Sequence, residues 1–262
     1  MIFAPDTAFA ALPRVYGTNA CDQLANMRIC VVGMGGVGSW AVEALARTGV
    51  GHLTIIDHDD VTLGNINRQI HALSNTVGES KVELMRDRVQ LINENCDLNA
   101  IDDFLAEKNL PTYLDQQFDV VIDAIDSIRF KASMIHFCKR NRIPIITTGG
   151  AGGRTDPLAV QVTDLSRTWN DALAAKVRKR LRNQFGFTKN TKRRFGVECV
   201  FSSEQPVYPD KSGGVTHARP GVPGASLDCE HGYGSVSMVT GTFGLVAASR
   251  AVKRALVNQE PA

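Results

Sequence analysis

The chain lacks the features that mark a secreted, zinc-binding or membrane-spanning protein. Its six cysteines include no pair at Cys-x-x-Cys spacing, so we expect no zinc site and a reducing compartment, the cytoplasm. No basic segment followed by an apolar run opens the sequence, and no signal peptide is expected. The stretch 236–252 is apolar but carries Ser and Thr throughout. We interpret it as a buried or subunit-packing helix rather than a membrane span.

The chain also has little net charge, +2 in 262 residues, so its composition as a whole does not indicate nucleic-acid binding. The charge is unevenly distributed, because residues 167–194 contain ten Lys or Arg and one acid. This basic strip is either a solvated helix face or a surface for nucleic-acid phosphates. Its candidate phosphate contacts are Arg178, Lys179, Arg180, Arg182, Lys192, Arg193 and Arg194.

What the sequence does contain is a glycine motif between a strand pattern and a helix pattern. An apolar, β-branched run over 28–33 leads into Gly33, Gly35, Gly36 and Gly38, and an amphipathic segment follows. In a strand–turn–helix unit, glycines at this spacing permit a tight turn and let the backbone approach a phosphate. The motif therefore predicts a nucleotide site, and the alternative is a structural turn without a ligand.

A second apolar run supports the nucleotide interpretation. It covers 52–57 and ends in Asp57, 19 residues after Gly38. In dinucleotide-binding folds an acid at this distance binds the ribose hydroxyls. The first half of the chain is therefore predicted to bind a nucleotide.

Strand and helix patterns alternate from residue 28 onward, which predicts an α/β fold with a doubly wound, mostly parallel sheet. Residues 1–153 form the predicted nucleotide-binding half. Residues 154–262 form a region that completes the sheet and contacts substrate or a second subunit, and one compact domain is expected overall. Predicted strands cover 28–33, 52–57, 98–102, 119–123, 143–148, 158–162 and 197–201. Predicted helices cover 17–27, 78–95, 106–116, 128–141, 169–185 and 236–256.

Two local features refine this plan. The spacing of Thr76 and Glu79 predicts a capping box at the start of the helix over 78–95. Residues 202–232 hold four of the ten prolines and are interpreted as a long loop.

Polar side chains crowd the predicted carboxyl ends of the strands. They are Asp59, Asn65, Arg68, Gln69, Lys81 and Asp126. A nicotinamide-binding redox domain needs only the acid that binds ribose, whereas an enzyme that splits ATP needs Arg and Lys to neutralise phosphates. The carboxylate of Asp126 is a suitable ligand for Mg²⁺. Each has a structural alternative, with Asp126 as a helix N-cap and Arg68 and Lys81 as solvated surface charges.

As an ordered set over residues 10–160, these residues resemble the adenylation domain of the ubiquitin-activating-enzyme family. The matching motifs are Gly33-x-Gly35-Gly36-x-Gly38, Asp57-x-Asp59, Asn65-x-x-Arg68-Gln69, Lys81 and Asp123-x-x-Asp126. The resemblance implies adenylation of a carboxylate by Mg·ATP. It also implies that Asp57 binds the ribose, that Asn65, Arg68 and Lys81 bind the phosphates, and that Asp126 binds magnesium. Arg14 is the counterpart of a phosphate-contacting arginine near the N-terminus.

Further segments, at 66–73, 122–127, 147–153 and 161–165, resemble the tRNA-modifying branch of that family, and the similarity continues to the C-terminus. This branch implies ATP-dependent ring closure of the threonylcarbamoyl group on the adenosine beside the anticodon. The alternative is activation of the C-terminal carboxylate of a small ubiquitin-like or sulfur-carrier protein. Activators of that kind usually carry two Cys-x-x-Cys zinc pairs, which this chain lacks.

Two further classes of protein are an NAD-dependent oxidoreductase and a non-enzymatic nucleotide sensor or tRNA-binding module. Neither explains the phosphate-type cations together with Asp126. The family resemblance also implies a homodimer. A bound monovalent cation and a cysteine desulfurase system as sulfur-transfer partner stay open at this stage.

Cys229 is a cysteine for which the sequence allows a catalytic role. It lies in the predicted long loop with His231 two residues later, so it is either a covalent nucleophile or a spectator thiol. The flanking acids Asp228 and Glu230 disfavour a thiolate at this position. Ring closure can also proceed within the substrate, so no enzyme nucleophile is obligatory.

Overall fold

The computed structural model describes residues 3–4, 7–114, 118–210, 212–218 and 234–258. Its strands are β1 (Arg28–Val32), β2 (His52–Asp57), β3 (Asp97–Asp102), β4 (Val120–Asp123), β5 (Ile145–Thr148), β6 (Val160–Asp164), β7 (Glu198–Ser202), β8 (Tyr208–Pro209) and β9 (Val215–Thr216). Its α-helices are α1 (Pro13–Tyr16), α2 (Thr18–Asn26), α3 (Gly38–Arg47), α4 (Lys81–Ile92), α5 (Leu110–Leu114), α6 (Ile128–Arg140), α7 (Ala172–Gln184) and α8 (Ser237–Asn258).

Seven strands form one sheet in the order β3-β2-β1-β4-β5-β7-β6. Neighbouring strands are parallel except for β6, which runs antiparallel to β7. The predicted doubly wound, mostly parallel sheet is confirmed, and β6 and β7 from the C-terminal part of the chain complete it. The strand order reverses between β1 and β4, and in open α/β sheets the ligand crevice lies at that point, beyond the carboxyl ends of the strands.

Helix α8 packs against α3 on one face of the sheet. Gly244 permits the close approach, since a Cβ there would lie 2.4 Å from the carbonyl oxygen of Val37 and 2.8 Å from Cβ of Trp40. Phe243, one residue earlier, is fully buried. The apolar stretch 236–252 therefore packs within the protein. In the part of the chain that the structure describes, no helix is long and apolar enough to cross a membrane.

The expected capping box between Thr76 and Glu79 is wrong. Helix α4 begins at Lys81, with Ser80 as its N-cap. The hydroxyl of Thr76 instead accepts a hydrogen bond from the amide of Leu73 at 2.9 Å and donates to the carbonyl of His71 at 3.0 Å. That side chain closes the preceding turn, so it is not available to cap the helix.

Other boundaries shift for local reasons. The helix expected over 17–27 is confirmed as α2, and the short α1 before it was not expected; Gly17, with φ of 82°, separates the two. Helix α7 starts at Ala172, three residues later than expected, because the carboxylate of Asp171 accepts the amide of Ala174 at 2.8 Å and caps the helix there. The predicted long loop contains the β8–β9 hairpin, whose two-residue strands are too short to show an alternating pattern.

Candidate active site

One cavity of about 920 Å³ opens at the carboxyl edge of the sheet. The near half of its wall includes the glycine motif, the polar residues that follow β2 and β4, and residues 103–105 after β3. The far half consists of residues 148–152, Arg154, residues 171–173 and Lys176, from the loop after β5 and the start of α7. The predicted site residues that line this cavity are Gly33, Gly35, Gly36, Asp57, Asp59, Asn65, Arg68, Gln69, Lys81 and Asp126.

The glycine motif forms the turn between β1 and α3. A Cβ on Gly38 would lie 1.7 Å from the carbonyl oxygen of Gly33, so only glycine allows the helix to start this close to the strand. Gly33 itself has φ of 94°, a conformation that side chains disfavour. A Cβ on Gly36 would lie 3.1 Å from Cγ of Arg68, which places Arg68 directly over the turn. The turn therefore presents bare backbone and an arginine stem to the cavity.

Asp57 lies at the end of β2, and its carboxylate is fixed by three backbone amides. One carboxylate oxygen accepts from His58 at 2.8 Å and from Asp59 at 2.9 Å. The other accepts from Met34, in the loop after β1. These bonds tie the ends of β1 and β2 together and orient the carboxylate along the cavity wall.

Arg68, Asn65 and Gln69 lie in the loop between β2 and α4. The guanidinium of Arg68 donates to the carbonyl of Gly64 and, at 3.1 Å, to Oδ1 of Asn67. Asn65 Oδ1 accepts the amide of Thr62 at 3.1 Å and closes a capping box, so this side chain also stabilises the loop. The loop conformation holds these side chains beside the glycine turn.

Gln69 is the buried member of this group. Only 5% of the residue is exposed, and its Oε1 finds no hydrogen-bond partner in the described part of the chain. A buried amide oxygen without a partner is costly, and this residue lines the cavity. It is therefore available to a ligand.

Lys81, the first residue of α4, is buried and paired. Its Nζ lies 2.7 Å from Oδ2 of Asp59, and His58 Nε2 lies 3.4 Å from the other oxygen of the same carboxylate. Asp59 is half exposed, with 52% of its side chain accessible. Its carboxylate therefore holds the Lys81 ammonium at the cavity wall.

Asp126 lies in the loop between β4 and α6, on the cavity wall and exposed. It makes no hydrogen bond or ion pair with the described residues, so both carboxylate oxygens are available to a metal ion. Ser127, the next residue, is the N-cap of α6. The structural alternative, in which Asp126 caps that helix, does not occur.

Of the residues predicted to hold ATP, Gly38 and Arg14 are not among those that line the cavity. Arg14 is exposed in α1. Cys229 lies outside the described residues. The five described cysteines are all buried, and burial raises the thiol pKa of Cys199 well above its usual value. None of these five is a nucleophile that a ligand in the cavity can reach.

The candidate phosphate contacts of the basic strip differ in exposure: some side chains pack against the protein and others face solvent. Arg178 donates to the hydroxyl of Thr168, and burial, followed by the charge of Arg182, lowers its pKa. The guanidinium carbon of Arg182 lies 5.2 Å from the ring centroid of Phe195. Arg180 is half-buried. Of the seven candidate phosphate contacts, the exposed ones are Lys179, Lys192, Arg193 and Arg194.

Asp164 anchors the exposed part of the strip. Its carboxylate accepts backbone amides from Phe195 at 2.9 Å, Gly196 at 2.7 Å and Val197 at 3.2 Å. Burial would raise the pKa of Asp164, but these and other hydrogen bonds outweigh it and lower the pKa. The segment 192–194 is therefore attached to a fixed point at the end of β6.

Sequence reasoning missed the far half of the cavity. Gly150 donates its amide to Asp171 Oδ2 at 3.0 Å, and the guanidinium of Arg154 donates to the carbonyl of Asn170 at 2.7 Å and also to Gly150. These contacts join the loop after β5 to the start of α7. The run of small residues over 149–153 was the available signal, but it was used only as the end of the predicted nucleotide-binding half and as part of a family resemblance.

A doubly wound sheet with a glycine turn, a strand-end carboxylate and cationic side chains around one crevice defines a nucleotide-binding α/β protein. The chain belongs to the ThiF family, whose model matches residues 8–262.

The similarity to known proteins extends over almost the whole chain. It is 51% identical over 247 residues to the tRNA threonylcarbamoyladenosine dehydratase of Escherichia coli strain K12, covering 94% of this chain and 92% of that protein. It is 47% identical over 248 residues to the protein of the same name from Haemophilus influenzae, covering 95% and 93%. The crystal structure of the E. coli dehydratase in complex with ATP has a TM-score of 0.85 at 48% identity, covering 96% of this chain and 94% of that one.

Proposed function

We propose that this protein is an ATP-dependent enzyme that closes the threonylcarbamoyl group of N6-threonylcarbamoyladenosine in tRNA into a ring, beside the anticodon. The observation that carries the proposal is the convergence of Asp57, Arg68, Lys81 and Asp126 with the glycine turn on one cavity. Similarity over almost the full length to proteins named for this reaction supports the choice of substrate.

The near half of the cavity suits ATP. Asp57 is oriented to accept ribose hydroxyls, and the glycine turn leads into the N-terminus of α3, where free amides and the helix dipole favour an anion. Arg68 and Lys81 supply positive charge to the phosphates, with Asn65 and Gln69 as further polar contacts. Asp59 holds Lys81 in place. Arg14 does not line this cavity and is assigned no contact with ATP.

Asp126 is the residue proposed to hold Mg²⁺. Its unpaired carboxylate faces the cavity, and an oxygen ligand of this kind suits a hard cation. A Mg²⁺ ion held there would supply positive charge to the phosphates of ATP. The cluster of Asp57, His58 and Asp59 brings ligand atoms within 4.8 Å of one another, but Asp59 is paired with Lys81 and His58, so the metal ion is assigned to Asp126. No residue is assigned to a monovalent cation.

The proposed chemistry has two steps. In the first, a carboxylate oxygen of the threonyl group attacks the α-phosphorus of ATP and pyrophosphate leaves. In the second, the carbamoyl nitrogen attacks the acyl carbon, the nitrogen loses its proton, the bond to AMP breaks and the ring forms. The overall reaction removes one water from the substrate, and the residues of this chain contribute by holding reactants in line and stabilising phosphate charge.

The proposed macromolecular substrate is tRNA, bound through its phosphates by the outward members of the basic strip, Lys179, Lys192, Arg193 and Arg194. Arg178 and Arg182 stabilise the segment that carries them rather than contact RNA directly. Contacts of this kind position the RNA without reading its sequence. We further propose a cytoplasmic homodimer. A covalent role for Cys229 and a cysteine desulfurase partner are not needed for the two steps above.

The test is to incubate the protein with ATP and tRNA that carries the threonylcarbamoyl modification, then to measure AMP, pyrophosphate and the mass of the modified nucleoside. Loss of the mass of one water together with AMP release is the expected result. Unmodified tRNA is the control and should give neither. AMP release only when a small carrier protein is added would instead support the alternative, and bound NAD without ATP turnover would overturn the adenylation proposal.

A further inference from the structure

The far half of the cavity and one exposed lysine have no role in the chemistry described above. The cavity continues from the nucleotide crevice over the end of β5 to the first turns of α7. At about 920 Å³ it is near the upper limit for single-ligand pockets. Its far wall is made largely of small residues, Thr148 to Gly152, so the space beyond β5 is open.

Lys176 lies on the wall of this far half and is exposed. It makes no ion pair or hydrogen bond with the residues that the structure describes. The nearest acid along the helix is Asp171, whose oxygens accept the amides of Ala174 at 2.8 Å and Gly150 at 3.0 Å. Asp171 is therefore used by the fold, while the Lys176 ammonium is available to a ligand.

The same helix joins the cavity to the basic strip. Lys176 and Lys179 are both exposed and three residues apart, which puts them on neighbouring turns of one face of α7. Arg178, between them in sequence, faces the protein. Lys176 and Lys179 therefore place two outward ammonium groups between the rest of the basic strip and the mouth of the far half.

We propose that the far half binds the modified nucleoside of the RNA and that Lys176 binds a backbone phosphate adjoining that nucleotide. This inference rests on the proposed function, because it needs a nucleoside whose side-chain carboxylate reaches the ATP in the near half. Nucleotides in single-stranded loops are available for this mode of binding, since their bases can turn outward into a protein pocket. Lys176 is a positioning residue in this scheme.

The first experiment measures affinity for an anticodon stem-loop RNA that carries the modification, at several salt concentrations, for Lys176→Ala, Lys176→Arg and Lys253→Ala. Lys253 is an exposed lysine on α8 and serves as the matched control. Loss of one phosphate contact should reduce the slope of log affinity against log salt by about 0.7 for Lys176→Ala. Lys176→Arg should keep the wild-type slope, and so should Lys253→Ala. Equal slopes for Lys176→Ala and Lys253→Ala would overturn the phosphate contact.

The second experiment fills the far half with Leu173→Trp. Leu173 is half-buried and lines the far wall, so the larger indole side chain of tryptophan there should exclude the nucleoside. We expect the KM for RNA to rise at least about tenfold, while the affinity for ATP stays at the wild-type value. Wild-type KM for RNA in this variant would overturn the assignment of the far half.

These outcomes separate the inference from the function on which it rests. If the wild-type protein forms no cyclised nucleoside, the proposed function fails, whatever Lys176 does. If the wild-type protein is active but the slope or KM does not change as described, only the inference fails.

Discussion

Asp123 and Lys131 form an ion pair inside the protein, with Nζ 2.8 Å from Oδ1 and side-chain exposures of 0% and 1%. Thr147 on β5 donates to the other carboxylate oxygen at 2.6 Å, and the Lys131 ammonium also donates to Thr147 Oγ1 at 3.2 Å. The pair connects the end of β4 to the first turns of α6. The loop between them carries Asp126, so the pair fixes both ends of the segment that presents the proposed metal ligand.

Lys131→Met should destabilise the protein by about 3–5 kcal/mol, because it leaves the Asp123 carboxylate buried without a counter-charge. The double variant Asp123→Asn, Lys131→Met removes both charges and should recover part of that loss. Urea unfolding of the two single variants and the double variant measures the coupling. Additive free energies of unfolding would contradict a direct interaction between the two side chains.

Arg68→Ala and Asp126→Ala should each lower turnover roughly 100- to 1000-fold, since each removes a charge proposed to act on the phosphates or their metal ion. Arg86→Ala is the control, because Arg86 is paired with Glu83 on α4 and does not line the cavity. AMP formation and the melting temperature should be measured together. Near wild-type turnover in either site variant would show that the site assignment is wrong.

His71 should make the protein lose stability in mild acid. Burial, and then the charges of Lys81 and Arg88, lower its pKa to about 4. In the unfolded chain the imidazole takes up a proton near pH 6.5, so the unfolded state gains protons first. His71 therefore contributes stability above about pH 6.5 that is lost as pH falls to about 4, amounting to about 3 kcal/mol.

The measurement is the free energy of unfolding from pH 7 to pH 4 in wild type and in His71→Leu. Neither ring nitrogen of His71 has a hydrogen-bond partner among the described residues, so leucine should be tolerated. The variant should have the flatter acid dependence. His52→Gln, at a half-exposed histidine that pairs with Asp97, is the control. Identical acid dependence in wild type and His71→Leu would refute the assignment.

Gly38→Ala should destabilise the protein by more than about 3 kcal/mol, because the added methyl overlaps a backbone carbonyl that cannot move aside. Gly64→Ala is the matched substitution, since its Cβ would meet only Thr62 Oγ1 at 3.9 Å. Thermal unfolding of both variants compares the two positions. Similar melting temperatures would show that α3 can shift away from β1 at little cost.

Much of the candidate site followed from local sequence. Once a strand of a parallel sheet is recognised in the sequence, the position of its carboxyl end is known. The carboxyl ends of neighbouring parallel strands lie at the same edge of the sheet. Asp57, Arg68, Lys81 and Asp126 could therefore be expected near the glycine turn before any coordinates were known. Helix starts were less predictable, because Thr76 and Asp171 each had more than one possible hydrogen-bond partner and only the folded chain selects among them.

The sequence by itself determined a doubly wound sheet with a nucleotide crevice, because strand and helix periodicities and glycine spacing are local properties of the chain. Only the tertiary structure decided which charges face each other: Lys131 with Asp123, Lys81 with Asp59, and Arg178 turned away from solvent while Lys176 is exposed at the cavity. Such pairings depend on distances between segments that are far apart in sequence, and those distances exist only after the sheet has assembled.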